Sequence, residues 1–233
     1  MNINLLRQWH GATSKFICMD AADYMSIIPS GARPFFIVDP PWDAGLWSIA
    51  RNERCKLVFF DGGACSEAIS HHGAPSWLFA WDCVSSWWTP NRPLRRAKFC
   101  AFYGDIEKYN QDGAFTSYRD AKSRVVRNTR GEYVHHPADG VRLSDVYQRP
   151  ITELHKSGEV YKHAKPTEWL AAMIANCIGD CNLVIDLFCG SGAAGYAANL
   201  AGIDYIGLDI DLSNVGMFDN SMQCKMKQGD LWA

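Results

Sequence analysis

The chain has 233 residues, 48% of them hydrophobic and 21% charged, with a formal net charge of -2. These are the proportions of a soluble globular protein, and they exclude a disordered or low-complexity chain. No apolar run approaches the length of a membrane span, and the nearly balanced charge by itself names no partner.

The opening residues, MNINLLRQWHG, lack a basic head followed by an apolar core, so no signal peptide is expected. KFICM (15–19) reads as a short buried strand that stops at Asp20, with a helical segment from Ala21 to Ile28 behind it. FFIV (35–38) is a continuous run of aromatic and β-branched residues, the signature of a parallel strand buried on both faces. It stops at Asp39, because Pro40 and Pro41 have no N–H to give a ladder. An acid at the carboxyl end of such a strand lies on the edge where open α/β sheets bind ligands. A plain turn capped by Asp39 is the other reading of this stretch alone. KLVFF ahead of Asp61 and WLFAW (77–81) ahead of Asp82 repeat the pattern, with a helical segment from Ala64 to Ser70 between them.

Residues 92–130 carry ten basic residues against four acids, with Tyr103, Tyr109, Phe115 and Tyr118 interleaved. Cations for phosphates and rings for bases suit a nucleic-acid surface; a solvated loop face is the alternative. Farther on, Leu183-Val184-Ile185 is a buried strand, followed by Gly190-Ser191-Gly192-Ala193-Ala194-Gly195 and a helical run from Tyr196 to Leu200. Tyr205-Ile206-Gly207-Leu208 is the next strand and ends at Asp209. Strand, glycine turn, helix, strand and acid form half of a nucleotide-binding α/β unit, in which the acid holds ribose hydroxyls. Too few residues follow Asp209 to complete a sheet, so the remaining strands are expected from the N-terminal part. The nine cysteines have no regular spacing, and Cys177 and Cys181 lack a zinc-knuckle interval. Reduced thiols in a cytosolic protein are expected. His71-His72 and His135-His136 lack nearby Cys or acidic partners, so no metal site is expected.

Asp39-Pro40-Pro41-Trp42, then a basic region, then His163-x-Lys165-Pro166, then Phe188-x-Gly190-x-Gly192 resembles the β-type order of the amino-group DNA methyltransferases. The resemblance covers roughly residues 13–211 and is weakest between 104 and 155. It implies a Rossmann-like, S-adenosylmethionine-dependent α/β methyltransferase fold of the seven-stranded type. Its sheet would be mixed but mostly parallel, with helices on both faces, circularly permuted motif order and a small basic insertion. Residues 1–103 would be the catalytic half, 104–155 the target-recognition insertion and 156–233 the cofactor half of one domain.

The resemblance also implies residue roles. Asp39, Pro40, Pro41 and Trp42 would be catalytic. Asp20, Ala21, His163, Lys165, Pro166, Asp186, Phe188, Gly190, Ser191, Gly192 and Asp209 would hold S-adenosylmethionine. At Asp20 the family's preceding glycine is replaced by Met19. Phe79-Ala80-Trp81-Asp82 is similar to a strand that walls the base pocket. Arg92, Arg95, Arg96, Arg119, Lys122, Arg124, Arg127 and Arg130 would grip double-stranded DNA. A homodimer and a separate restriction nuclease are partners that such enzymes allow; a membrane is not expected.

The chemistry implied is methylation of adenine N6, which the acid-headed motif favours, with cytosine N4 the alternative. RNA adenine methyltransferases share Asp-Pro-Pro-Trp but lack the F-x-G-x-G loop, so DNA is favoured. An exocyclic amine is a poor nucleophile, and the Asp39 carboxylate and Pro40 carbonyl would each accept one of its N–H bonds. Positioning of this kind is worth roughly 7–11 kcal/mol. The base would be flipped out of the duplex at a cost of a few kcal/mol and stacked on Trp42, a contact worth about 1–3 kcal/mol. A nicotinamide oxidoreductase and a catalytically idle DNA-binding protein are the readings from other classes.

Overall fold

The computed structural model describes residues 4–9, 12–28, 32–41, 46–87, 95–105, 125–127, 133–135, 146–148, 165–211 and 213. Its centre is five adjacent parallel strands. They are β2 (Ala12–Cys18), β11 (Asp204–Asp209), β10 (Leu183–Asp186), β3 (Pro34–Val38) and β4 (Lys56–Asp61), in that spatial order. The N-terminal strand β1 (Asn4–Trp9) pairs antiparallel on the β2 side. Beyond β4 come β6 (Arg95–Tyr103), antiparallel to it, then β5 (Trp77–Trp87) and the short β9 (Val146–Gln148).

Among the described residues this mixed, mostly parallel sheet has nine strands. Its outermost strands among the described residues are β1 and β9. WLFAW does not end at Asp82. That residue pairs with Ala97 inside the eleven-residue β5, because an antiparallel neighbour carries the strand on to Trp87. Within 104–155, β7 (Val125–Arg127) and β8 (Tyr133–His135) form a separate two-stranded ribbon, whereas β9 joins the main sheet.

Alternate residues of the central strands feed two cores. Phe35, Ile37, Leu57, Phe59 and Val184 face one side, where they meet helices α3 (Thr167–Cys177) and α4 (Ala193–Leu200). Phe36, Val38, Val58, Phe60 and Ile185 face the other, against α1 (Ala21–Met25), α2 (Cys65–His72) and Trp47. Burial on both faces explains why these strands read as unbroken apolar runs. The buried Ser14 hydroxyl donates to Asn199 Oδ1 at 2.9 Å, and Asn199 Nδ2 donates to the Ile203 carbonyl at 2.9 Å. These bonds tie α4 to β2, closing the C-terminal half onto the N-terminal one. No helix among the described residues is long and apolar enough to cross a membrane.

Trp169 anchors α3. It is 1% exposed, edge-on to Phe59 at 5.9 Å and stacked on Tyr147 of β9 at 5.9 Å and 15°. Trp169→Ala is expected to cost about 3–5 kcal/mol of stability, measured as a lower urea midpoint with an unchanged slope.

Candidate active site

Five parallel strands bring five carboxylates to one edge. Asp20 follows β2 by two residues, Asp209 closes β11, Asp186 closes β10, Asp39 follows β3 and Asp61 closes β4. All five line one cavity of about 1010 Å³. Glu67 and Asp211 add two more acids to its wall, against the two cations Lys98 and Lys165 among the described residues. Such a cavity repels a phosphate-rich ligand and attracts a cation.

The glycine turn sits at the middle of the edge. Leu187 N–H donates to the Ile37 carbonyl at 3.0 Å and Cys189 N–H to the Leu208 carbonyl at 2.8 Å. The chain leaving β10 is thus held between β3 and β11. Gly190 and Gly192 have φ of +49° and +83°, the left-handed region that a Cβ disfavours. Gly190 N–H donates to Asp209 Oδ2 at 2.9 Å, and Asp211 N–H to Asp209 Oδ1 at 3.1 Å. Asp209 therefore shapes the turn and still has lone pairs for ligand hydroxyls. Phe188, Gly190 and Ser191 line the cavity; Gly192 lies behind them and starts α4.

Asp20 caps α1, its Oδ1 accepting from Ala22 N–H at 2.8 Å, and Met19 N–H donates to the Asp209 carbonyl at 3.0 Å. Asp20 and Ala21 thereby reach the same wall as Asp209. Asp186 is 3% exposed, and burial, with repulsion from Asp39 and Asp209, pushes its carboxyl up to about 7.

Asp39 stands where the sequence predicts it, half-buried at the end of β3. Pro40 is buried, Pro41 is exposed, and both line the cavity. The Lys165 ammonium donates to Asp39 Oδ2 as an ion pair. Lys165 is 7% exposed, and its Nζ lies 5.2 Å from the centre of the Phe59 ring. The sequence predicts Lys165 at the cofactor; the fold pairs it with Asp39. Pro166 is the N-cap of α3, buried and outside the cavity wall.

Phe79 and Trp81 do not wall the pocket. Strand alternation turns both into the core under α3, where Trp81 lies 6.4 Å from Trp169. Lys98 of β6, opposite Asp61 in the register, reaches the cavity on that side instead. Neither Lys98 nor Asp61 was among the residues predicted for the site. Asp61 had a signal, an acid closing an apolar run, but the role of Lys98 depends on which strand pairs with β4.

Arg95 and Arg96 open β6, and Arg127 lies in β7. Trp42, Arg92, Arg119, Lys122, Arg124, Arg130 and His163 lie outside the described residues.

Comparison with known families gives a match to the DNA methylase model of the N6/N4 methyltransferase type over residues 75–218. The matched stretch holds Lys165, Asp186, the glycine turn and Asp209, and begins after Asp39. Comparison with curated protein sequences gives no match. Among solved structures, an M1.HpyAVI–SAM complex is similar with a TM-score of 0.53 at 14% identity, over 90% of this chain and 99% of that one. The PvuII DNA methyltransferase (cytosine-N4-specific) is similar with a TM-score of 0.58 at 12% identity, over 89% and 86%. At these identities the likeness concerns the fold.

Proposed function

The chain belongs to the DNA methylase family of N6/N4 amino-group methyltransferases, and on that premise we propose that it methylates the N6 amine of a flipped adenine in DNA, using S-adenosylmethionine. The observation that carries this is the placement of Asp39 one strand away from the glycine turn, in the same cavity and held by Lys165.

The residues fit the cofactor. Its sulfonium and amino group are cationic, and the cavity wall is acidic. Asp209 and the turn at Gly190 suit its ribose, Asp20 and Ala21 its adenine, and Asp186 its amino-acid end. When bound, the cofactor supplies an electrophilic methyl group. A nicotinamide dinucleotide would bring a pyrophosphate to the same acids, which disfavours the oxidoreductase reading.

At the other end, Lys165 occupies Asp39 Oδ2. That leaves Oδ1 to accept one N–H of the target amine, with the Pro40 carbonyl accepting the second. Both acceptors draw the nitrogen lone pair out of the ring and towards the methyl group. Pro40 and Pro41 restrict the loop, so the two acceptors keep their spacing. The acid in place of serine favours adenine over cytosine. Phosphates are gripped by the arginines and lysines of 92–130 other than Lys98, which lines the cavity.

Incubation of the protein with unmethylated duplex DNA and S-adenosylmethionine, followed by digestion to nucleosides and mass spectrometry, tests this. N6-methyladenine is the expected product. N4-methylcytosine would overturn the choice of base, and DNA left unmethylated would overturn the proposal.

A further inference from the structure

Tyr205 is fully buried, yet its phenol is placed for a polar task. The hydroxyl donates to Asp186 Oδ2 at 2.9 Å, while Phe188 N–H donates to Oδ1 at 3.1 Å. In the β10–β11 register Asp186 lies opposite Gly207, and Tyr205 stands two residues before it on the same face. The ring can pass along the strand because Gly207 has no side chain. A Cβ there would fall 2.8 Å from Tyr205 Cε1 and 2.8 Å from its hydroxyl oxygen. A Cβ on Gly195 of α4 would likewise fall 2.8 Å from Cε1. Phe16 closes the slot, its ring 5.6 Å from that of Tyr205. Two glycines on two elements thus leave a channel shaped for one phenol that ends at one carboxylate.

That carboxylate needs support. Asp186 faces Asp39 at the end of β3, Asp209 at the end of β11 and the Cys189 thiol of its own turn, and the ammonium of Lys165 is paired with Asp39. Burial and the two acids favour the neutral form of Asp186, and the two hydrogen bonds favour the ionised form. Burial holds the Tyr205 phenol well above its ordinary range, so it remains a donor throughout the working pH range.

We propose that Tyr205 is a positioning residue that keeps Asp186 ionised and aimed into the cofactor end of the cavity, making it a determinant of affinity for the cationic cofactor. The inference rests on the reading of this cavity as the S-adenosylmethionine site. The sign follows from charge: protonating Asp186 removes an anion from a cation's site, so affinity falls as pH drops through its titration. Without the phenol, the ionised form loses one charge-assisted hydrogen bond and titration moves to higher pH, by about one unit.

Calorimetric titration of S-adenosylmethionine into wild-type, Tyr205→Phe and Asp186→Asn protein between about pH 6 and pH 8.5 reads this without turnover. Tyr205→Phe keeps the ring and so keeps the packing. Its affinity is expected to be roughly tenfold below wild type near pH 6.5 and within about twofold near pH 8.5, the consequence of a one-unit shift. Asp186→Asn is expected to bind weakly with no acid limb, and adding Tyr205→Phe to it should change nothing further. An equal loss at both pH values, or no loss, would overturn the inference and leave the cofactor reading standing. Wild-type protein that does not bind S-adenosylmethionine would overturn that reading itself, and this inference with it.

Discussion

Asp39→Ala is expected to lower the single-turnover rate of DNA methylation by about 1,000-fold, with affinity for S-adenosylmethionine kept within severalfold of wild type. The size is that of removing one preorganised hydrogen-bonding group aimed at charge that develops in the transition state. Cofactor binding survives because the glycine turn is held by Asp209 and by the ladders to Ile37 and Leu208, none of which uses the Asp39 side chain. The substitution also strands the Lys165 ammonium, which is 7% exposed. A buried donor left unsatisfied costs about 1–3 kcal/mol, more if charged, so thermal unfolding must be followed in parallel. The double variant Asp39→Ala, Lys165→Met separates the two effects: stability should return and activity should not. Asp39→Asn is expected to fail almost as completely. Its amide oxygen would face Lys165, and its NH2 group would point a donor at an amine that needs an acceptor. Activity within tenfold of wild type in Asp39→Ala would remove Asp39 from the chemistry.

Lys165→Met is the second variant with a large expected effect. Methionine keeps much of the aliphatic stem beside Phe59 and deletes only the ammonium. The Asp39 carboxylate then loses the ammonium that fixes its rotation and stands one strand from the acid Asp186. A displacement of about 1 Å in a reacting group can cost about 100-fold, so kcat should fall by roughly that factor. KM for DNA should change little, because the buried Lys165 ammonium is paired with Asp39 and is not offered to a phosphate. Lys165→Arg should recover part of the rate, since a guanidinium can also donate to Oδ2. If KM rose and kcat held, Lys165 would be a DNA contact, and its pairing with Asp39 would have no catalytic meaning.

The chain's own pattern carried much of this site. Four-residue apolar runs closed by an acid mark β3 and β4, and the glycine turn, with Asp209 19 positions after Gly190, marks the cofactor half. The acid after WLFAW predicts a stop at Asp82, but the antiparallel partner β6 carries β5 to Trp87. The resemblance of Phe79-Ala80-Trp81-Asp82 to a pocket-wall strand does not reveal that Phe79 and Trp81 pack under α3, Trp81 against Trp169. Lys98 gave no local signal, because only the register with Asp61 brings it to the cavity.

The amino-acid sequence alone specifies local units: which segments are buried strands and which turn has glycines that allow left-handed φ. Those properties depend on residues within a few positions of one another. The tertiary structure alone decided which strand lies beside which. Placing β3 next to β10 sets Asp39 beside the glycine turn, and closing α3 over the sheet delivers Lys165 to an acid 126 positions away. Placing β11 next to β10 hands the Tyr205 phenol to Asp186. Such partners are chosen when both faces of the sheet are packed at once, and no local periodicity records that choice.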